Sequence, residues 1–174
     1  MAKPSLDLVV IGGAPGSGKS TLCQNLRTRW GAAPLIELSS IRNFHLDPCW
    51  SNQSEQDLAL AFDHLSYIVR SYARHRWGPV LVTDLREAWL ARVPETFADL
   101  RFAIITLFTT DAMIRERFET RDEGFTNVAA AVAWNRVVRD RPLLAHEHRV
   151  DSSGPAAELA QRVERILAEC NQGA

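Results

Sequence analysis

Leu8–Thr21, LVVIGGAPGSGKST, decides how the chain is read. Leu8, Val9, Val10 and Ile11 form an uninterrupted apolar run, as expected of a strand covered on both faces. From Gly13 to Ser20 the residues GAPGSGKS fit the spacing of a phosphate-binding loop: glycine, four residues, Gly-Lys and a hydroxyl. Lys19 to Trp30 follows as a helix, with Leu22 and Leu26 four apart on one face. Strand, loop and helix are therefore in the order the motif requires. Gly13, Gly16 and Gly18 give the loop backbone angles closed to other residues, and Ala14, Pro15 and Ser17 complete it. Its amides would face an anion at the positive end of the helix dipole. Lys19 would bridge the terminal phosphates, Ser20 would hold Mg²⁺, and Thr21 follows within the same turn. The plainer alternative is a glycine-rich turn before an ordinary helix, and the completeness of the motif argues against it.

At 174 residues there is room for one sizeable core, so a single domain spanning 1–174 is expected. A hydrophobic fraction of 46% with 24% charged residues is ordinary for a soluble globular chain. No apolar run approaches the length of a membrane span, and MAKPSLDLVV enters the first strand without a signal-type segment. A cytoplasmic location and no membrane partner are the expectations. Cys23, Cys49 and Cys170 share no metal-ligand spacing and suggest neither a disulfide framework nor a zinc site. The net charge of −1 gives no whole-protein attraction to nucleic acid, which counts against such a partner without excluding a local basic site. Only Lys3 and Lys19 are lysine and the other 18 basic residues are arginine, so the lysine of the loop stands out.

Apolar runs then alternate with longer helical patterns. Ala33–Leu38 reads as a short second strand, and the polar segment Ser39–Gln53 as a loop carrying many functional groups. Ser54–Trp77 is a long amphipathic helix, with Leu58, Phe62, Leu65, Ile68, Val69 and Tyr72 at three- and four-residue spacings and Ser54 as its cap. Gly78 and Pro79 end it. Val80–Asp84 and Phe102–Phe108 are buried strands; Glu87–Leu100 between them is helical with a break or restart at Pro94. Asp111–Arg121 and Asn127–Arg139 are helices, His148–Val150 is a last short strand, and Ala156–Cys170 is a closing helix. Such alternation implies parallel crossover units in a three-layer α/β architecture, with functional loops gathered at one sheet edge. The chain lacks an Asn-Lys-x-Asp guanine-reading motif, and it is too short for a helicase or transporter ATPase with its partner domains.

With the loop, Asp84, the arginines of RERFETRDEGF and the RVDSS segment in this order, the whole chain resembles the small P-loop kinases of the nucleoside-monophosphate-kinase-like group. That group includes adenylate, shikimate and gluconate kinases and chloramphenicol phosphotransferases. The resemblance covers nearly the full length in layout, and only the phosphate loop is specific by itself. It implies a P-loop NTPase fold with a mostly or wholly parallel sheet of about five strands. It also implies ATP and Mg²⁺ as cofactors, an acceptor-side segment at about 39–77 and a lid at about 115–141. Arg117 and Arg121 lie one helical turn apart, and the resemblance sets Arg117 against the adenine and Arg121 near the transferring phosphoryl, with Arg115 as a competitor. A solvated helix face with mixed charges is the simpler reading of the same residues. Ser152, with Ser153 and Gly154, falls where the resembling kinases form an adenine-side loop, although ordinary turn chemistry explains these residues equally well.

Asp84 ends an apolar strand, which would deliver its carboxylate beside the phosphate loop. There it would bind Mg²⁺ through water or accept the acceptor hydroxyl's proton; alternatively it caps the next helix. TDLRE is similar to an Asp-x-Arg arrangement of such kinases, in which Arg86 offers a planar fork to an acceptor phosphate or carboxylate. Many related kinases carry an acidic base just after the second strand, but serines stand there in ELSSIRNFHLD. The available carboxylates are Glu37, Asp47 and Asp84. Arg42 matches an acceptor-side arginine of the group, and His45 is a candidate base or acceptor ligand; a solvated loop residue is the simpler reading of each. Trp50, Trp77, Trp89 and Trp134 suggest a stacked aromatic substrate or, more simply, core packing, with Trp50 and Trp89 nearest the acceptor side.

The expectation is an ATP-dependent phosphotransferase acting on a small molecule. Two rivals stand beside it: a 5′-hydroxyl polynucleotide kinase, whose LSSIR, long helix and VLVTD it loosely resembles, and an ATP-binding switch or slow ATPase.

Overall fold

The computed structural model describes residues 3–31, 33–45, 54–119 and 125–170. In chain order the elements are β1 (Leu8–Gly13), α1 (Lys19–Arg29), β2 (Leu35–Glu37), α2 (Leu38–His45) and α3 (Glu55–Arg74). Then follow β3 (Val80–Thr83), α4 (Glu87–Leu90), α5 (Val93–Thr96), β4 (Phe102–Phe108), α6 (Asp111–Glu119), α7 (Val128–Asp140), β5 (Glu147–Asp151) and α8 (Ala156–Cys170). The five strands form one sheet in the order β2-β3-β1-β4-β5, and every pairing is parallel.

Strand alternation divides the apolar run of β1 between two cores. Val9 and Ile11 pack with Leu22, Leu26, Val163 and Leu167 of α1 and α8. Leu8 and Val10 face the other way, onto Phe62, Leu65 and Val69 of α3 and Leu90 of α4. An apolar stretch with no polar alternation is what a strand between two helical layers needs. Each such side chain contributes roughly 1.5–3 kcal/mol when buried. The expected three-layer α/β fold is therefore present.

Helix ends follow local chemistry where the cap is near in sequence. Ser54 Oγ accepts from Asp57 N at 3.0 Å, and Asn127 Oδ1 accepts from Ala130 N at 3.0 Å. Pro94 sits in the first turn of α5, and the expected helix at 87–100 is two single turns, α4 and α5, on either side of it.

The segment expected to be a loop from Ser39 differs. Residues 38–45 form helix α2, packed on α3. Leu38 is buried and Ile41 packs on the same core, a three-residue spacing that local serines obscure. The amide of Ser39 donates to Asp84 Oδ2 at 3.2 Å, so the carboxylate that satisfies this helix start comes from 45 residues away. The remainder of that expected loop, 46–53, lies outside the described residues, as do Asp47, Cys49 and Trp50.

Candidate active site

In this sheet the strand after β1 crosses to one side, and β4 lies on the other. The carboxyl end of β1, between β3 and β4, is thus where the strand order switches and a crevice opens. Residues 14–18 turn there into α1.

Gly13 has φ +126°, and a Cβ on it would lie 2.4 Å from the Leu107 carbonyl oxygen and 2.8 Å from Ser17 Oγ. Only glycine fits. Gly18, at φ +94°, is the N-cap of α1 and has no side chain with which to satisfy the first amides of that helix. No acidic residue stands in that first turn. The positive end of α1 is thus left for an external anion, whereas α3 and α7 use their own Ser54 and Asn127. Lys19 Nζ arches back over the loop, donating to the carbonyls of Gly13 at 2.8 Å and Ala14 at 2.9 Å.

A cleft of about 1150 Å³ opens over this loop. Pro15, Gly16, Gly18, Lys19, Ser20 and Thr21 form its floor. Glu37, Thr83, Asp84 and Arg86 bound one side; Arg117, Ser152 and Gly154 bound another. The expected site residues Gly13, Ala14 and Ser17 are buried beneath as supports.

Arg117 bounds one side of the cleft. Its Nη1 donates to the Gly16 carbonyl at 2.9 Å and its Nη2 to the Ser152 carbonyl at 2.8 Å. Ser152 is buried, and its single hydroxyl proton lies within reach of two carbonyls, Ser17 O at 2.7 Å and Phe108 O at 3.0 Å. Loop, α6 and the turn after β5 are therefore tied together through backbone carbonyls, with Ser152 acting as a strut. Arg121 lies outside the described residues.

Asp84 occupies the opposite wall with φ +68°, uncommon for a residue with a side chain. This turn and the Ser39 amide hold the carboxylate at the end of β3, facing the same cleft as Ser20 and Lys19. The alternative reading of Asp84 as cap of the following helix does not hold, since α4 has no side-chain cap; the carboxylate instead accepts from the start of α2. Glu37, register partner of Thr83, also borders the cleft. Among the described residues no group of three or more His, Cys, Asp or Glu gathers to hold a metal ion. A carboxylate, a hydroxyl and a phosphate-binding loop around one cleft instead match how Mg²⁺ is bound, mostly by water and substrate phosphate.

A second recess of about 100 Å³ adjoins the cleft beyond Asp84. Ser39, Asp84, Arg86 and Phe125 border both spaces. Its other walls include Arg42, Leu38, Leu58, Trp89 and Trp134. Arg42 is buried in α2, not solvated as a loop residue would be, while Arg86 is exposed. His45 ends α2. Trp77 is 64% exposed on the turn before β3 and takes no part. Phe125 and Asn127 also border the cleft; the sequence set them within the expected lid but did not single them out as site residues, and both sit in the stretch before α7.

An ion-pair network backs this side. Arg141 donates through Nε to Glu87 Oε2 at 2.5 Å and through Nη1 and Nη2 to Glu147, both at 2.7 Å. Glu147 also accepts from the Leu144 amide at 2.7 Å. Burial pushes the Glu147 carboxyl up, but Arg141, that amide and Thr106 outweigh it and hold the group below its ordinary value. Trp134 Nε1 donates to Glu87 Oε1 at 3.0 Å, so the network fixes one wall of the recess.

Many solved structures share this architecture. A gluconokinase from Sinorhizobium meliloti 1021 is 18% identical, with a TM-score of 0.69 over 94% of this chain and 93% of that one. The Deinococcus radiodurans tunicamycin resistance protein is 21% identical, with a TM-score of 0.67 over 96% and 95%. The shikimate kinase from Aquifex aeolicus is 13% identical, with a TM-score of 0.61 over 96% and 99%. No curated protein matches the chain in sequence. Among the described residues no helix is long and apolar enough to cross a membrane. The model of the AAA domain family matches residues 8–142, and the chain belongs to that family, with the fold of the small P-loop kinases.

Proposed function

We propose that the protein is an ATP-dependent phosphotransferase that moves the γ-phosphoryl group of Mg-ATP to the hydroxyl of a small molecule. The observation that carries this reading is the position of Asp84. Its carboxylate borders both the cleft over the phosphate loop and the recess beyond it, where an acceptor oxygen would meet a terminal phosphate.

In this reading the loop amides and the start of α1 bind the phosphates, and Lys19 leaves the Gly13 and Ala14 carbonyls to contact them. Ser20 would hold Mg²⁺ directly and Asp84 only through water, and the ion would supply charge neutralisation between the phosphates. Arg117 closes the nucleotide side, and Arg121 from the 115–141 lid serves the transferring group. Arg42, His45, Asp47 and Arg86 are the proposed acceptor contacts. The acceptor oxygen bonds to the γ-phosphorus as the bond from that phosphorus to the β,γ-bridging oxygen breaks. The hydroxyl proton passes to Asp84, and ADP leaves. Glu37 borders the same cleft and is the competing base.

The test is transfer of label from γ-labelled ATP across nucleosides, sugars, hydroxyacids, aromatic alcohols and 5′-hydroxyl oligonucleotides. Label in one small acceptor, lost in Lys19→Ala, supports the reading. Label only in the oligonucleotide replaces it with a polynucleotide kinase. ATP bound through Lys19 but released only as slow hydrolysis, with every acceptor unlabelled, replaces it with a switch.

A further inference from the structure

We propose that the acceptor carries a planar aromatic ring, which lodges in the recess between Trp89 and Trp134 with its hydroxyl toward Asp84. The inference deepens the phosphotransferase reading and rests on it for the fate of the hydroxyl; the ring-binding itself can be measured independently.

The recess offers carbon surface on most sides. Leu38, Leu58, Trp89 and Trp134 border it, and Phe125 stands at the side shared with the main cleft. Trp134 has one hydrogen-bond donor, its indole N–H, and Glu87 already accepts it. What remains for a ligand is the face and edge of the ring. Trp89 is 6% exposed, its ring packed by the Phe62 ring with centroids 5.1 Å apart and by the Arg92 guanidinium 4.7 Å from its centroid, so it is a fixed apolar wall with little open surface and the stacking falls mainly to Trp134. Both walls are therefore fixed before a ligand arrives, which lowers the ordering cost of stacking.

The recess holds about 100 Å³ and adjoins the larger cleft. A closed apolar cavity that accommodates benzene measures about 150 Å³, so this recess takes a ring only in part, and the remainder of the ring with its substituents reaches into the cleft. A polyhydroxylated acid fits its chemistry poorly. Each hydroxyl turned toward Leu38, Leu58 or an indole face would lose water and find no partner. The polar groups, Ser39, Arg42, Asp84 and Arg86, can serve one hydroxyl and one anionic substituent. Trp134 and Trp89 are thus specificity-determining residues, 45 positions apart in sequence and brought together by α4 and α7.

The experiment is calorimetric titration of 4-(hydroxymethyl)benzoate and of gluconate into the full chain saturated with ADP and Mg²⁺. Both probes carry one carboxylate, so attraction to the arginines cancels in the comparison. We expect the aromatic probe to bind at least about tenfold tighter than gluconate. Trp134→Ala should weaken the aromatic probe about tenfold, as loss of a stacking partner does, and Trp134→Phe should recover most of it. ATP affinity should be the same in both variants. Gluconate binding as tightly as the aromatic probe, no saturable aromatic binding, or an aromatic affinity indifferent to Trp134→Ala would each overturn the proposal. The wild-type comparison decides even if Trp134→Ala does not fold. Failure of the phosphotransferase reading looks different: the aromatic probe then binds as expected, yet γ-labelled ATP leaves it and every other acceptor unlabelled.

Discussion

Gly13→Ala tests whether the phosphate loop is held by the sheet or merely tolerated by it. Gly13 is the last residue of β1 and pairs with Leu107 in the central β1–β4 ladder. An added Cβ would stand 2.4 Å from the Leu107 carbonyl, well inside contact distance, and 2.8 Å from Ser17 Oγ. The serine can rotate, but the carbonyl belongs to a central strand and cannot move without opening the ladder. The φ of +126° adds about 1–3 kcal/mol of backbone strain. The clash adds about 1–3 kcal/mol of overpacking, for a total of roughly 2–6 kcal/mol. Against a typical domain stability of about 5–15 kcal/mol this is a large fraction. Gly31 is the control: its φ is +67°, and a Cβ there meets no atom within 4 Å. Gly31→Ala should cost only about 1–2 kcal/mol. Urea denaturation of both variants at a shared slope reads the difference directly. A Gly13→Ala cost no larger than that of Gly31→Ala would refute the claim that this strand end dictates the loop.

Three further predictions concern the support around the site. Arg141→Ala should cost about 3–5 kcal/mol in urea denaturation, because the Glu147 side chain is 0% exposed and would be left as a buried charge; a cost under about 1 kcal/mol would contradict the network. The Glu147 carboxyl, lowered from its ordinary 4.5, contributes stability that is complete above that pH and lost as pH falls through the lower folded value. Glu147→Gln should therefore flatten the acid limb of a stability-against-pH curve below about 4.5, and an unchanged limb would assign acid sensitivity elsewhere. Burial pushes the Cys23 thiol up to about 12, so it should resist a thiol-reactive disulfide at pH 8 until the chain unfolds, as mass spectrometry of the labelled peptide would report. Rapid native labelling of Cys23 would show the α1 core to be open.

The parts of this fold that the sequence made legible are those specified by neighbours in the chain. The run Leu8–Ile11, the loop after it and the apolar spacing of α3 each carry their own signal within a few residues. Ser54 likewise lies beside the helix it caps. Helix α2 escaped because Ser39 and Ser40 resemble turn residues and its start is satisfied from Asp84, across the sheet edge. The backbone of Asp84 is equally hidden, since nothing local demands φ +68° of an aspartate. The walls of the recess depend on longer reach still. Trp134 is oriented by Glu87, and Glu87 by Arg141, over separations of 47 and 54 residues. Such contacts are products of topology, and a linear pattern of residue types does not encode which tryptophans will meet.

The most direct measurement separates binding from transfer at Asp84. Wild type and Asp84→Asn are compared for ATP affinity and for single-turnover transfer of the labelled phosphoryl group to the acceptor identified by the panel. The account predicts that Asp84→Asn keeps nucleotide affinity within roughly tenfold and slows transfer by at least about a hundredfold, as removal of a general base does. Transfer at the wild-type rate in Asp84→Asn would contradict it, and would move the chemistry to Glu37 on the neighbouring strand.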